Sequence, residues 1–120
     1  LDLIDLSDIL GKYIEIDTCE VKVPENLGFH LRPATLVARI VAYYGTKLSL
    51  VVDGGEYDAS SVLSITLAGG LIARKGYKTV RFKGDKRVLY DLQLLSKYNY
   101  GEDEKGNQAI LPPELSHLYT

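Results

Sequence analysis

The chain has 120 residues, 46% of them hydrophobic, with a net charge of −2 and a single cysteine, which suits one domain with its own core and excludes a disulfide-stapled fold. It contains no run of eighteen apolar residues and no basic-then-apolar leader, so neither membrane insertion nor secretion is indicated and a cytoplasmic protein is expected. The charge is uneven: residues 1–18 carry five acids and one base, residues 19–100 seven acids and twelve bases, and residues 101–120 four acids and one base. A basic middle between acidic ends suits docking on acidic partner proteins or simply keeps the chain soluble. The scattered Lys and Arg, without zinc-finger spacing or an RNP-type aromatic motif, argue against nucleic acid.

In chain order, Leu3, Leu6, Leu10 and Tyr13 fall on one helical face with Asp2, Asp5 and Asp8 away from it, which predicts a short amphipathic helix in an extension over residues 1–17. Cys19, Val21 and Val23 alternate with Glu20 and Lys22 to give a strand, with Cys19 a buried strand residue. Ile14 and Ile16 are out of phase with that strand, which predicts a bulge. A helix follows from about Leu31 to Tyr44, with Ala34, Val37, Ala38, Val41 and Tyr44 on its apolar face and Gly45 as a left-handed cap. Leu48, Leu50 and Val52 make a second strand, and Asp53-Gly54-Gly55 turns it into a short third one at Glu56-Tyr57-Asp58.

A short helix is then expected, capped by Asp58 or Ser60, built on Val62, Leu63, Ile65 and Leu67, and ended by Gly69-Gly70. Val80 and Phe82 mark a fourth strand, and Gly84-Asp85 a turn into a last helix striped by Val88, Leu89, Leu92 and Leu95 and ending near Gly101. Residues 101–120, with Glu102-Asp103-Glu104-Lys105-Gly106-Asn107 and Pro112-Pro113, read as a polar tail with a loosely packed apolar end, and His117 within it as an exposed bystander. The order βαββαβα, with one wet face on each strand, predicts an α+β fold: a four-stranded antiparallel sheet covered by three helices on one side.

The most informative stretch is Gly28-Phe29-His30-Leu31-Arg32-Pro33-Ala34-Thr35, a histidine directly before a helix whose first turn contains proline. Proline is harmless there because its missing N–H falls where no intrahelical partner exists. The remaining first-turn amides, with the helix dipole, suit an anion, Leu31 brings no oxygen to occupy them, and Thr35 is placed to supply one. A neutral imidazole is nucleophilic near neutral pH, and a phosphoryl group on it would lie within reach of those amides and of the Arg32 guanidinium. Taken alone, the pattern better suits a histidine that merely caps or packs the helix start.

This motif resembles the active site of the histidine-containing phosphocarrier protein, HPr, of the bacterial phosphoenolpyruvate-dependent sugar phosphotransferase system, and the element order over residues 18–100 resembles that family's open-faced β-sandwich. The resemblance implies transient phosphorylation of His30 on Nδ1 by enzyme I, transfer to enzyme IIA components, and Arg32 as the active-site arginine. Leu31, Pro33, Ala34 and Thr35 would form the phosphate-supporting helix start. It implies a carrier that enzymes act upon, with no turnover, cofactor or metal of its own. It also places Ser61, or less readily the adjacent Ser60, where many members carry a serine phosphorylated by the ATP-dependent HPr kinase, with Val62, Leu63, Ile65 and Leu67 as the docking surface. Three features depart from the family pattern: Leu31 replaces a small residue, Ser60 replaces a basic or amide residue, and both ends are extended. Two alternatives remain at this level, a regulatory relative signalling through Ser61 and a binding module without phosphate chemistry.

Overall fold

The computed structural model describes residues 14–119; the amphipathic helix expected within residues 1–13 lies outside the described residues. Seven main elements follow in the order expected: β1 (Ile16–Lys22), α1 (Leu31–Tyr44), β2 (Leu48–Val52), β3 (Gly55–Asp58), α2 (Val62–Lys75), β4 (Thr79–Asp85) and α3 (Lys86–Lys97). The four strands form one antiparallel sheet in the order β1-β4-β2-β3. Because β1 and β2 each pair antiparallel with β4, they run parallel to one another, and α1 is the crossover that this geometry requires. Val21, Leu48, Leu50, Val52, Val80 and Phe82 from the sheet share one core with Val37, Ile40 and Val41 of α1, Ile65 and Ile72 of α2, and Leu92 and Leu95 of α3.

Local chemistry explains most boundaries. Gly45 ends α1 at φ 70°, its amide returning to the Val41 carbonyl, a conformation that glycine adopts without penalty. Asp53 and Gly54 both take positive φ, 51° and 81°, between the paired Val52 and Gly55, the two-residue turn whose twist matches a hairpin. Cys19 is half-buried on β1, where burial, and then the Asp17 charge, push its thiol up to about 11.

Four expectations change. β1 pairs with β4 without interruption from Ile16↔Asp85 to Lys22↔Thr79, so no bulge forms; Ile16 is out of phase because it lies on the wet face, 60% exposed. α2 does not stop at Gly69-Gly70 but continues to Lys75 and is capped by Gly76. Two helical glycines cost about 1 kcal/mol each, but continuing the helix buries Ile72 in the core, and Gly69 admits a close neighbour: a Cβ there would lie 3.1 Å from both Cβ and the carbonyl oxygen of Phe29. Gly84 and Asp85 belong to β4 rather than to a turn, and Asp85 is itself the N-cap of α3, accepting from the Arg87 amide at 2.9 Å.

The fourth change concerns residues 101–119, which are not a loose tail. Leu111, Leu115 and Leu118 are buried, the last two in a 3-10 segment Pro113–Tyr119 that packs on α1. This second cover explains why Leu36 and Ile40 of α1, absent from the expected apolar face, are buried as well. Arg39 donates to the Leu118 carbonyl at 2.5 Å, and the Tyr119 hydroxyl donates to the Ala109 carbonyl at 2.6 Å. His117 is no bystander either: its ring lies against Tyr43, centroids 4.4 Å apart.

Asp85 makes one of these contacts testable by pH. Hydrogen bonds from the Arg87 side chain, the shortest 2.6 Å, hold its carboxyl below the ordinary carboxylate range, against the opposing effect of burial. A depressed folded-state pKa means that the stabilisation is complete above the ordinary value and is lost as pH falls through the folded one. Asp85→Asn is therefore expected to be less stable by about 1.5–3 kcal/mol at neutral pH, the range for hydrogen bonds to charged groups. In urea melts the gap to wild type should narrow below about pH 4. A gap independent of pH would show that the charge is not responsible.

Candidate functional site

Phe29 anchors the loop before α1. It is buried, packs edge-on against Phe82 (centroids 6.1 Å) and Tyr100 (5.5 Å), and sits against Gly69 of α2. Gly28, at φ 63°, accepts from the His30 amide through its carbonyl at 2.9 Å and so turns the chain directly into the helix. His30 is the N-cap of α1 in extended conformation and makes no side-chain capping bond, so its ring is free for other partners.

Of the other motif residues, Pro33 and Ala34 are buried, and the Ala34 amide already donates to the His30 carbonyl at 3.1 Å. The Leu31 and Arg32 amides therefore remain as the helix-start donors without an intrahelical acceptor. Thr35 does not supply an oxygen to them, because its hydroxyl donates to the Leu31 carbonyl at 2.7 Å. The Leu31 side chain is 69% exposed, and the His30 ring is itself only partly covered.

The residue that sequence reasoning missed is Glu102. Its side chain is wholly buried, with Oε2 2.8 Å from His30 Nε2 and 3.4 Å from the Arg32 guanidinium. The approach to Nε2 is bent rather than a straight N–H···O bond. Arg32 also donates to the Gly106 carbonyl at 2.6 Å, so its guanidinium is drawn toward residues 102–107. An unusual turn places Glu102: Asn99, Tyr100 and Gly101 take positive φ in succession, 51°, 54° and 74°. Left-handed backbone at a bulky residue such as Tyr100 costs about 1–3 kcal/mol. It is offset here by burying the Tyr100 ring against Phe29 and by the bond from its hydroxyl to the Lys22 carbonyl at 2.5 Å. Beyond it, Asp103 organises a tight loop, accepting from the Lys105 and Asn107 amides at 2.8 and 2.9 Å.

The serine pair lies at the start of α2. Ser61, not Asp58 or Ser60, is the N-cap, its hydroxyl accepting from the Ser64 amide at 3.1 Å. Ser60 instead bonds Asp58 through both its amide (2.9 Å) and its hydroxyl (2.7 Å). Of the expected docking residues, Leu63 and Leu67 are exposed and Val62 is half-buried, but Ile65 is fully buried and belongs to the core. Ser61→Ala is expected to lower stability by about 1 kcal/mol, the usual loss for an N-cap oxygen, read as a fall in the thermal midpoint. An unchanged midpoint would mean that the Ser64 amide is satisfied without it.

No family model matches the sequence, and no curated protein matches it either. A solved structure does: HPr-C-His from Thermoanaerobacter tengcongensis, 20% identical, superposes with a TM-score of 0.57 over 75% of this chain and 99% of that one. The fold is HPr-like. At this identity the likeness concerns architecture alone: an open-faced sandwich in which the loop after β1 presents its residues at the start of α1. No helix of this HPr-like fold is long and apolar enough to cross a membrane, and no group of three or more His, Cys, Asp or Glu could hold a metal ion, among the described residues.

Proposed function

We propose that this protein is a phosphoryl carrier in which His30 receives a phosphoryl group and surrenders it to another protein. The observation that carries the reading is the placement of a partly exposed imidazole as the uncapped N-cap of α1, beside two uncommitted amides and a guanidinium. The imidazole attacks phosphorus in line while the donor departs with the electron pair of the breaking bond. Charge on the three equatorial oxygens is met by the Leu31 and Arg32 amides and by the Arg32 guanidinium, whose Nη1 is already held by the Gly106 carbonyl and Glu102. That prior engagement tempers the gain from binding phosphate. A carrier has to release its cargo, so tight stabilisation of the phosphorylated form would defeat it.

By the resemblance of the motif, the donor is enzyme I charged by phosphoenolpyruvate and the acceptor an enzyme IIA component, which places the work in the cytoplasm. The exposed Leu63 and Leu67 on α2 suit contact with these partners. Regulation through Ser61 gains no separate support, since capping accounts for its position.

The test is intact-mass analysis after incubation with phosphoenolpyruvate and the enzyme I of the same organism. One acid-labile phosphate, removed on adding enzyme IIA, is the expected result. A mass that never changes would overturn the reading.

A further inference from the structure

We infer that Glu102 is a positioning residue that keeps the proton on His30 Nε2 and so leaves Nδ1 as the nucleophilic nitrogen. This deepens the carrier reading and rests on it. A carboxylate offers only acceptors. With Oε2 2.8 Å from Nε2, a bare Nε2 lone pair would be repelled by the carboxylate, whereas an Nε2–H, although too bent to form a hydrogen bond, is attracted by its charge, so the protonated Nε2 is favoured. The Glu102 side chain is fully buried and lies 3.4 Å from the Arg32 guanidinium, a setting in which the carboxylate acts at undiminished strength. The proton it retains fixes the tautomer, as an accepting partner on one ring nitrogen does for the other.

The same contact assists transfer. As the Nδ1–P bond forms and the bond from phosphorus to the departing donor breaks, the Nε2 proton stays in place and the ring gains positive charge. Glu102 then faces a cation rather than a neutral ring, so its stabilisation grows toward the phosphorylated state. Two devices hold the carboxylate there: the left-handed Asn99-Tyr100-Gly101 turn and the loop closed by Asp103.

The experiment is 15N NMR of histidine-labelled protein at a pH where His30 is neutral, with its signals assigned by their loss in His30→Gln. Wild type should show the Nε2–H tautomer alone. Glu102→Gln should show a mixture, because an amide can donate to Nε2 as well as accept from it, and Glu102→Asp, whose shorter arm withdraws the carboxylate, should also show a mixture. Phosphorylation of His30 by charged enzyme I should slow roughly tenfold or more in Glu102→Gln, the scale on which such outer partners act. A predominant Nδ1–H tautomer in wild type would overturn the inference, and so would both variants keeping the wild-type tautomer. The tautomer is read without any phosphate donor, so a protein that shows it and yet accepts no phosphate refutes the carrier reading and not the Glu102–His30 contact.

Discussion

Incubated with charged enzyme I, a His30→Ala variant is expected to stay at its unmodified mass while wild type gains one acid-labile phosphate. The effect is all or none because the alanine removes the nucleophile itself, whereas loss of Arg32 or of an amide would only weaken charge stabilisation by a few kcal/mol. The variant should still fold. His30 makes no side-chain capping bond, so the start of α1 loses nothing there. The structural cost is that Glu102 loses its 2.8 Å partner and keeps only Arg32 at 3.4 Å, about 1–3 kcal/mol for a buried polar group left under-satisfied. A thermal melt recorded beside the mass spectrum separates that cost from the chemistry. His30→Gln serves as a second variant, since its amide can donate to the carboxylate without being able to carry phosphate. If acid-labile phosphate persisted in both, the acceptor would lie elsewhere, and His117 is the other histidine in the chain.

The second large effect is on stability. Leu115→Ala should lower the unfolding free energy by about 2–5 kcal/mol, the range for deleting a buried leucine whose surroundings relax only in part. Leu115 is fully buried, with Leu118 and Leu111 beside it in the segment that packs on α1. The control is Ile110→Ala, five residues away and 88% exposed, for which a change within about 0.5 kcal/mol is expected. Urea unfolding of the two variants decides between a packed segment and a loose one. Equal, small changes would mean that residues 101–119 add little to the core. The result also bears on the site, because this segment carries Glu102 and the Gly106 carbonyl to the start of α1.

Legibility differed between the core and its edges. The stripe Val88, Leu89, Leu92 and Leu95 was readable because α3 presents one face to the sheet and the other to water, so its period survives in the sequence. α1 was half legible. Its Ala34, Val37 and Val41 face showed, but Leu36 and Ile40 were passed over because a helix covered from two sides blurs its period. The extent of α2 was misjudged for a related reason: glycine pairs usually end helices, and only the approach of Phe29 shows why Gly69 lies inside this one. The spacing of Leu111, Leu115 and Leu118, four and then three residues, was a usable sign that the region packs as a helical face. It was outweighed by the acids, Gly106 and Pro112-Pro113 around it.

His30 and Arg32 could be named from the sequence because they are neighbours in it: a histidine, an arginine and a proline at a helix start carry their chemistry within four residues. The sequence by itself thus determined the alternation of strands and helices, the sheet they build and the histidine at the head of α1, all of them matters of short-range period and capping. Only the tertiary structure decided what surrounds that histidine. Glu102 reaches His30 across a separation of seventy-two residues in sequence through a left-handed turn at Asn99, Tyr100 and Gly101. Such a turn is unfavourable locally and is held by long-range burial of Tyr100 against Phe29 and its bond to the Lys22 carbonyl, a balance that no local pattern of residues records.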